Sequence, residues 1–344
     1  MKKILKKTAK ALIIIIIAAA AVYGALLGYG HLFLSGTPST EIWNEGDAFD
    51  AASVNQLVKE DDKDFKILLL ADIQLGASIT KDKEALEMMD ELVDETQPDF
   101  IMTTGDNSYF LLADAMTKKV IRHIESYGIP WSTTLGNHDT DGLASRNWLG
   151  NQYENAENSL FEMGPDNIQG VGNYVINITD TSGSVVYALI VLDSNVERKY
   201  EDGNDYDYIH EDQIAWYEWA ATGQADVPSM LFFHIPLPEY AIAADMLADG
   251  TLTDPNAFGE NHERVCCPPV NSGLFDKIVE LGSTTNVFAG HDHINSLSVN
   301  YEGVQLTYGL KTGPTCYSEE EMQGGTLITI VDGTNEVLVE HIYK

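Results

Sequence analysis

Residues that can bind a metal ion or transfer a proton are concentrated in five short clusters of this 344-residue chain. Their side chains are carboxylates, amides and imidazoles, which suit borderline metals such as zinc, manganese or iron. In chain order the clusters are Asp72-Ile73-Gln74, Gly105-Asp106-Asn107, Gly136-Asn137-His138-Asp139, the single His234, and Gly290-His291-Asp292-His293. Residue type alone therefore suggests metal chemistry.

Each cluster taken alone has an ordinary structural explanation. Asp72 could cap the segment that follows it, Gly105-Asp106 is a common turn, and His234 could be a hydrogen-bonded core histidine. The last cluster is more specific, because two imidazoles on either side of an acid have little structural use after a buried strand. The order and spacing of all five together favour a functional site over coincidence.

The elements around the clusters predict how these side chains are positioned. Four of the five clusters directly follow an apolar run that is typical of a buried strand. Ligands of open α/β sheets gather at the carboxyl ends of strands, so the clusters are expected to converge on one crevice. Two metal ions about 3.5–4 Å apart in such a crevice can hold both the attacking and the leaving oxygen of a phosphoryl displacement.

Hydrophobic periodicity predicts alternating strands and helices in the first half of the chain and a strand-rich second half. The predicted strands are 66–72, 99–103, 130–134, 174–179, 185–192, 230–233, 285–289, 304–308, 326–331 and 337–342. The predicted helices are 81–95, a stretch ending at 125, 211–221 and 272–281. We found no internal repeat, so one domain over 66–344 is the simplest arrangement.

The charge of the chain limits its partners. It has 53 acidic and 20 basic residues, and five of the basic residues lie among the first ten. A body this acidic repels nucleic-acid backbones, so no nucleic-acid binding is expected. The sequence also contains no Walker loop, no Gly-x-Ser-x-Gly and no His-Glu-x-x-His motif.

The N-terminus predicts that the protein leaves the cytoplasm. Residues 11–30 carry no charge after a lysine-rich start, which is long enough for a helix to cross a bilayer with the N-terminus inside. We favour an uncleaved anchor over 1–34, because the apolar run continues past the alanines at 18–21; a cleaved signal peptide is the alternative. Residues 35–65 are polar and acidic, and are expected to form a linker or a loosely packed entry segment.

Three cysteines follow the leader, at Cys266, Cys267 and Cys316. An oxidising compartment permits one disulfide and leaves one thiol over. We expect Cys316 to bridge to one of the vicinal pair, since a thiolate metal site is not supported by the spacing.

The five clusters resemble the pattern of the calcineurin-like metallophosphoesterases, which is Asp-x-His, Gly-Asp, Gly-Asn-His-Asp/Glu, a lone His and Gly-His-x-His. The chain shows every block in order between Asp72 and His293, except that Gln74 replaces the first histidine. The stretch LFFHIPLPEY at 231–240 is similar to a subgroup related to purple acid phosphatases. The resemblance implies a β-sandwich of two mixed sheets flanked by helices.

The resemblance also implies a role for each matched residue. Asp106 would bridge two metal ions, while Asn137, His234 and His291 complete one site and Asp72 and His293 belong to the other. His138 would lie beside the leaving oxygen as general acid or transition-state stabiliser, and a metal-bound hydroxide would be the nucleophile. Surrounding or pocket-rim positions fall to Gln74, Asn107, Asp139, Tyr240 and Asp292. Tyr206, Tyr208 and Trp216 are assigned to packing at a helix start.

The substitution at Gln74 leaves one metal site short of a ligand. Purple acid phosphatases lack the same histidine and use a tyrosine three residues after the bridging acid, where this chain has Tyr109. A phenolate ligand favours iron(III), paired with a divalent zinc, manganese or iron ion; two divalent ions are the alternative. Equally, Tyr109 could begin the buried face of a helix.

The expected function is hydrolysis of a small phosphate ester, preferably a monoester, outside the membrane. A phosphodiesterase or nucleotidase is the alternative within the enzyme class. A catalytically inactive surface protein that binds a metal or ligand is the alternative outside it. Few basic residues lie near the clusters, so the metals would meet most of the phosphate charge.

Overall fold

The computed structural model of the protein describes residues 2–224 and 227–344. Its helices are α1 (Lys2–Phe33), α2 (Ile79–Thr96), α3 (Ala113–Glu125), α4 (Arg146–Glu154), α5 (Glu211–Gly223), α6 (Pro238–Asp249) and α7 (Leu274–Leu281). Its strands are β1 (Asn55–Val58), β2 (Phe65–Leu70), β3 (Phe100–Thr103), β4 (Trp131–Thr133), β5 (Tyr174–Thr179), β6 (Val185–Val191), β7 (Glu197–Tyr200), β8 (Gly203–Tyr206), β9 (Ser229–Phe232), β10 (Thr284–Ala289), β11 (Ser298–Tyr301), β12 (Val304–Tyr308), β13 (Gly324–Ile330) and β14 (Val337–Tyr343).

The strands form two mixed sheets and one hairpin. The larger sheet has the order β1-β5-β6-β9-β10-β12-β11, and the smaller has the order β14-β13-β2-β3-β4. Strands β7 and β8 pair only with each other. The predicted class, two mixed sheets flanked by helices, is confirmed.

Side-chain alternation along the strands explains the layered packing. In β9, Met230 and Phe232 belong to the core that includes residues of both sheets, where Phe232 stacks on Phe288 with ring centroids 5.0 Å apart. Leu231 in the same strand points the other way, into a second core with residues of α5, α6 and α7. Successive residues of a strand face opposite sides, so a strand buried on both faces must be apolar throughout.

The carboxyl ends of six strands are followed by polar residues, and five of these ends carry the five clusters. In the smaller sheet β2, β3 and β4 run parallel, and in the larger sheet β9, β10 and β12 run parallel. Parallel neighbours end at the same edge of their sheet, so the residues that follow them are brought together. The two sheets contribute three such ends each.

The segment 35–65 is packed more closely than expected. Strand β1 (Asn55–Val58) pairs in parallel with β5 and forms an edge of the larger sheet. Earlier in the segment, Phe49 contacts Trp219 with ring centroids 5.0 Å apart. The sequence missed β1 because a four-residue edge strand with one buried side chain has almost no apolar pattern. It also gave no prediction for α4, α6, β11 or the β7–β8 hairpin.

The N-terminal helix is apolar and uncovered. The span Leu12–Phe33 has a mean hydropathy of 2.4 and is long enough to cross a membrane, and its residues are exposed except Gly30, which is buried. The chain joins the domain immediately after it, since Leu34 is buried and its carbonyl accepts a hydrogen bond from Ser145 N at 2.9 Å.

Candidate metal centre

The backbone turns sharply where the clusters leave their strands. Asp72, Gln74, Asp106 and His291 have positive φ angles of 53°, 48°, 49° and 78°. L-residues rarely adopt this region, and such strain is often found at binding sites. The turns redirect the chain at the strand ends and leave all four side chains buried.

Two glycines allow the second and third clusters to touch. A Cβ atom on Gly136 would lie 2.1 Å from Asp106 Oδ1, and one on Gly105 would lie 2.5 Å from Gly136 N. Any side chain at either position would therefore separate the two turns. Close backbone approach of this kind is a characteristic use of glycine.

His234 anchors the first metal position. Its Nδ1 lies 2.7 Å from the carbonyl oxygen of Thr104, so Nδ1 carries the proton and donates. Burial lowers the pKa of His234, which keeps the ring neutral and leaves Nε2 as an acceptor. The carbonyl of Thr104 thus fixes the tautomer that a metal requires.

Three nitrogen and oxygen atoms converge around His234 Nε2. Asn137 Oδ1 lies 2.9 Å from this nitrogen, His291 Nδ1 lies 3.2 Å from it, and Asp106 Oδ1 lies 3.4 Å from it. Burial, followed by the effect of His234, lowers the pKa of His291 to about 3, so this ring is also neutral. Nitrogen and oxygen atoms grouped in this way can share a cation, so a metal ion fits among them.

Asp72 and His293 form a second candidate metal position. His293 donates from Nδ1 to the carbonyl of Tyr317 at 3.0 Å, which directs Nε2 as an acceptor toward Asp72 Oδ1 at 3.6 Å. Asp72 Oδ1 is buried and has no hydrogen-bond partner among the described residues. Oxygen or nitrogen ligands of Asp72, Asp106 and His234 all lie within 4.8 Å of one another. The donor set fits a metal ion here as well.

Gln74 does not replace the missing imidazole as a donor. Its amide Nε2 donates to Asp106 Oδ2 at 3.0 Å, and its Oε1 accepts from the buried Lys311 at 3.4 Å. Lys311 also donates to the carbonyl of Asp72 at 2.6 Å. Burial lowers the pKa of Lys311 to about 8, although the nearby Asp72 opposes that shift. At the second position an amide thus stands where the family pattern has a histidine ligand, and the amine of Lys311 lies beside it.

Lys311 was missed by the sequence analysis, although a signal existed. It lies three residues after β12, which runs parallel to β10 and ends beside the His291-Asp292-His293 cluster. The rule that identified the other clusters, a polar residue just beyond a buried parallel strand, applies to it equally.

Asp139 holds the turn of the central aspartate. Its Oδ2 accepts from Asp106 N at 3.0 Å and from Gly136 N at 2.8 Å, and its Oδ1 accepts from Ser108 N at 3.0 Å. The predicted supporting position of Asp139 thus agrees with its contacts. Asp106 is left with one oxygen facing His234 and the other facing Gln74.

His138 lies at the edge of the centre. Its backbone N donates to Asp106 Oδ1 at 2.8 Å, and its ring Nδ1 lies 3.0 Å from Asp141 Oδ2. Burial disfavours the imidazolium, but the hydrogen bond to Asp141 and the charge of Asp106 outweigh it and raise the pKa of His138 to about 9. A partly exposed imidazole that holds its proton near neutral pH can donate it to a leaving oxygen.

Three tyrosines each lie against one histidine of the centre. Ring centroids are 5.0 Å apart for Tyr109 and His138, 4.5 Å for Tyr206 and His291, and 4.1 Å for Tyr317 and His293. The expectation that Tyr206 packs at a helix start is wrong, because its ring lies against His291. No local pattern marks Tyr206 or Tyr317, because both reach the site from loops or a hairpin.

A sequence model described as calcineurin-like phosphoesterase matches residues 65–295, which includes all five clusters. This chain belongs to the calcineurin-like phosphoesterase family. It is 29% identical to "Probable inactive purple acid phosphatase 14" of Arabidopsis thaliana over 79% of this chain and 76% of that protein. It is also 29% identical to "Phosphatase DCR2" of Saccharomyces cerevisiae, over 74% of this chain but 49% of that protein. The relationship to purple acid phosphatases is thereby confirmed.

A solved structure supports the fold. It is titled "GAP50 the anchor in the inner membrane complex of Plasmodium" and superposes with a TM-score of 0.50 at 15% identity, over 81% of this chain and 84% of that one. The family is dimetal-dependent, and Asp72, Asp106 and His234 of this chain form a group that could hold a metal ion.

Asn107 and Asp292 support the loops of the centre through hydrogen bonds, whereas the prediction that Tyr240 lines the pocket rim is wrong. Asn107 donates to Thr133 Oγ1 at 3.0 Å, and Asp292 accepts from the hydroxyl of Tyr308 at 2.7 Å, so each braces the loop behind the metal positions. Tyr240 does not line the rim. It is buried, and its hydroxyl donates to the carbonyl of Val287 at 2.9 Å.

The expected disulfide is also absent. Cys266, Cys267 and Cys316 are all free thiols in the structure of this calcineurin-like phosphoesterase. Cys316 instead lies at the hydroxyl of Tyr109, where the thiol and burial together raise the pKa of the phenol. The vicinal pair is held elsewhere, since Cys266 N donates to Asp292.

Proposed function

We propose that this protein hydrolyses small phosphate esters, with phosphomonoesters preferred, at the centre formed by Asp72, Asp106, Asn137, His234, His291 and His293. The observation that carries the proposal is the convergence of nitrogen and oxygen atoms around the unprotonated Nε2 of His234, with His138 at their edge. Bound metal ions would supply Lewis acidity and lower the pKa of bound water. The chain would supply their ligands and, through His138, a proton at the leaving oxygen.

The charges around the centre support a small substrate. Arg146 lies near the Gly136 turn but is ion-paired with the buried Asp193, and Lys311 is buried behind Asp72. Neither cation is free to bind a second phosphate. Long polyanions would therefore gain little binding energy from the protein's cations. A phosphodiester or nucleotide substrate is the second choice among phosphate esters.

The test is phosphate release by the full-length protein in detergent, measured together with its metal content. A panel of monoesters, diesters and nucleotides should give highest turnover with a monoester. Asp106→Asn should lose metal and turnover together, whereas Asp207→Asn, which lies outside the centre, should lose neither. Two metals retained per chain in Asp106→Asn would refute the bridging role.

A non-catalytic, metal-binding protein is the second candidate. It is favoured by the amide at Gln74, where the family pattern has a histidine, and by the words "probable inactive" in the name of one relative. It predicts bound metal with no turnover across the whole panel. The partly exposed His138, bonded to Asp141, favours the enzyme, because metal binding alone needs no proton donor.

The metals are proposed to be iron with a divalent zinc, manganese or iron ion, with Tyr109 as a ligand. In the structure the hydroxyl of Tyr109 is engaged with Cys316, while its ring lies on His138 beside the centre. Binding would require the phenol to turn from the thiol to the metal. Iron-loaded protein should then absorb visible light by charge transfer, and Tyr109→Phe should be colourless. A colourless wild type would favour two divalent ions.

The domain is proposed to lie outside the membrane, held by α1. The support is an uncovered apolar span, Leu12–Phe33, behind five lysines that favour the inner side of a membrane. Protease added to spheroplasts should digest the domain and leave a protected N-terminal fragment. A soluble product that begins after the alanines at 18–21 would show that the leader is cleaved.

A further inference from the structure

The place where α1 joins the domain is fixed by several contacts. A Cβ atom on Gly30, within the apolar span, would lie 3.1 Å from Leu143 Cβ. Ser145 N donates to the carbonyl of Leu34 at 2.9 Å, and Thr37 N donates to Asn151 Oδ1 at 2.6 Å. If α1 spans a bilayer, the loop that contains Leu143 must therefore lie at its surface.

That loop is also part of the metal centre's edge. Asp141, two residues before Leu143, bonds to the ring of His138 at 3.0 Å and accepts from Phe110 N at 3.1 Å. Leu143 is the fifth residue after His138, and an extended chain spans at most about 3.6 Å per residue. His138 is thus within about 18 Å of the membrane surface.

Exposed apolar side chains are concentrated at the same place. Phe110, Leu111 and Leu112 are 60%, 61% and 57% exposed, and they are among the most exposed large apolar side chains of the described residues outside α1. Phe110 also has a φ of 65°, which a bulky residue adopts only under constraint. A soluble surface gives no reason to hold three adjacent apolar side chains outward.

Basic residues adjoin this apolar turn. Lys118, Lys119 and Arg122 lie on α3, which begins directly after Leu112, and none forms an ion pair within the part of the chain that the structure describes. Lys118 lies 5.0 Å from the ring of Trp148, near the point where the chain leaves α1. Only fifteen basic residues follow Lys10. Three unpaired ones on one helix therefore give this part of an otherwise acidic chain a local positive charge.

We propose that the membrane-contact surface (Phe110–Leu112, Leu143, Lys118, Lys119 and Arg122) lies on the bilayer that holds α1, and that it presents the metal centre to phosphate esters carried by membrane lipids. The proposal rests on the anchored phosphoesterase proposed above. Apolar side chains enter the headgroup boundary, and each basic side chain near an anionic surface adds about 1 kcal/mol. The tyrosines Tyr109, Tyr206 and Tyr317 would then face the headgroup layer.

Lipid contact is tested without reference to activity. Full-length protein is placed in nanodiscs of phosphatidylcholine and phosphatidylglycerol that contain a lipid with a photoreactive headgroup, and labelled peptides are mapped by mass spectrometry. We expect labelling at 108–123 and around Leu143 as well as in α1. Labelling confined to α1 would overturn the proposal.

Substrate class is tested with two matched variants in the same nanodiscs. Leu111→Ser with Leu112→Ser should slow hydrolysis of embedded phosphatidic acid about tenfold while turnover of a soluble aryl phosphate is unchanged. Leu338→Ser, an exposed apolar residue on β14 at the opposite edge of the smaller sheet, should change neither rate. Equal loss on both substrates, or none on phosphatidic acid, would overturn the lipid assignment. If wild type hydrolyses neither substrate while labelling appears, the phosphoesterase function fails and the surface stands.

Discussion

Gln74 reduces the number of possible metal ligands at the second metal position. Its amide nitrogen donates to Asp106 Oδ2, and its oxygen accepts from Lys311. The side chain therefore hydrogen-bonds to one aspartate oxygen and does not offer a lone pair to a metal. The positive charge of Lys311 adds to this effect, because a cation beside a metal position opposes metal binding. We therefore expect the two metal positions to differ in affinity.

Gln74→His should raise the affinity of the second position by about tenfold or more, since an imidazole restores a donor. Metal content at limiting zinc, measured by elemental analysis, should rise toward two ions per chain. Gln74→Asn is the matched control, because it keeps an amide and adds no lone pair on nitrogen. A variant with unchanged stoichiometry would show that Gln74 is not what limits this position.

His138→Ala should leave the metal content intact and slow turnover by about 10²–10⁴-fold, the usual range for loss of acid–base assistance. The loss should be smaller for an aryl phosphate than for an alkyl phosphate, because a good leaving group needs less protonation. Equal losses on the two esters would show that His138 does not supply the proton.

At the scale of elements, the centre depends on turns that follow parallel strands. The turns after β3 and β4 touch through Gly105 and Gly136, and the side chain of Asp139 ties them together by accepting from Asp106 N and Gly136 N. The ligands therefore sit on short, constrained turns whose positions are set by the hydrogen bonds of the smaller sheet. Such support is what holds a metal site in a fixed geometry.

Gly136→Ala should reduce metal binding with modest loss of stability, because its Cβ would lie 2.1 Å from Asp106 Oδ1 and must push the two turns apart. Overpacking of this kind costs about 1–3 kcal/mol. Gly46→Ala is the control, since nothing lies within 4 Å of a Cβ at that position. Full metal content in Gly136→Ala, with unfolding measured in urea, would mean that the turns can separate without moving the ligands.

At the scale of the whole molecule, contacts between the two sheets hold the two sets of strand ends together. One of them is His341 of β14, whose Nε2 lies 2.7 Å from the carbonyl of Ser296, in the loop between β10 and β11. Thr326 donates to the other ring nitrogen at 3.0 Å. Burial lowers the pKa of His341 to about 4, so the ring is neutral in the folded protein.

The unfolded chain therefore binds one proton more than the folded chain between the pKa of free histidine, about 6.5, and the pKa of about 4 in the fold. Stability is lost as the pH falls through this window. From pH 7 to pH 5 the wild type should lose up to about 2 kcal/mol more than His341→Gln, measured by urea unfolding. His262→Gln is the control, because Glu319 and Glu260 raise the pKa of this exposed imidazole, so its removal should not lessen the loss at low pH. Equal pH dependence of wild type and His341→Gln would contradict the shift.

The sequence by itself determined the parts whose signal is local. Long apolar strands such as β6 and β10 are buried on both faces, so their composition marks them without reference to any partner. The five clusters could be found because four of them directly follow an apolar run, and chain order then matched them to a family. The short strand β1, the helix α4 and the β7–β8 hairpin carry little apolar pattern, and no local rule finds them.

Only the tertiary structure decided which residues complete the centre and which do not. Lys311 and Tyr206 reach it from distant parts of the chain, while Tyr240, close in sequence to His234, turns into the core to satisfy its hydroxyl on Val287. The position of the centre beside the end of α1 likewise depends on contacts between Leu34 and Ser145, more than a hundred residues apart. Local sequence encodes strand ends and turns, but contacts between distant segments arise only when the sheets pack, because each depends on the geometry of both partners.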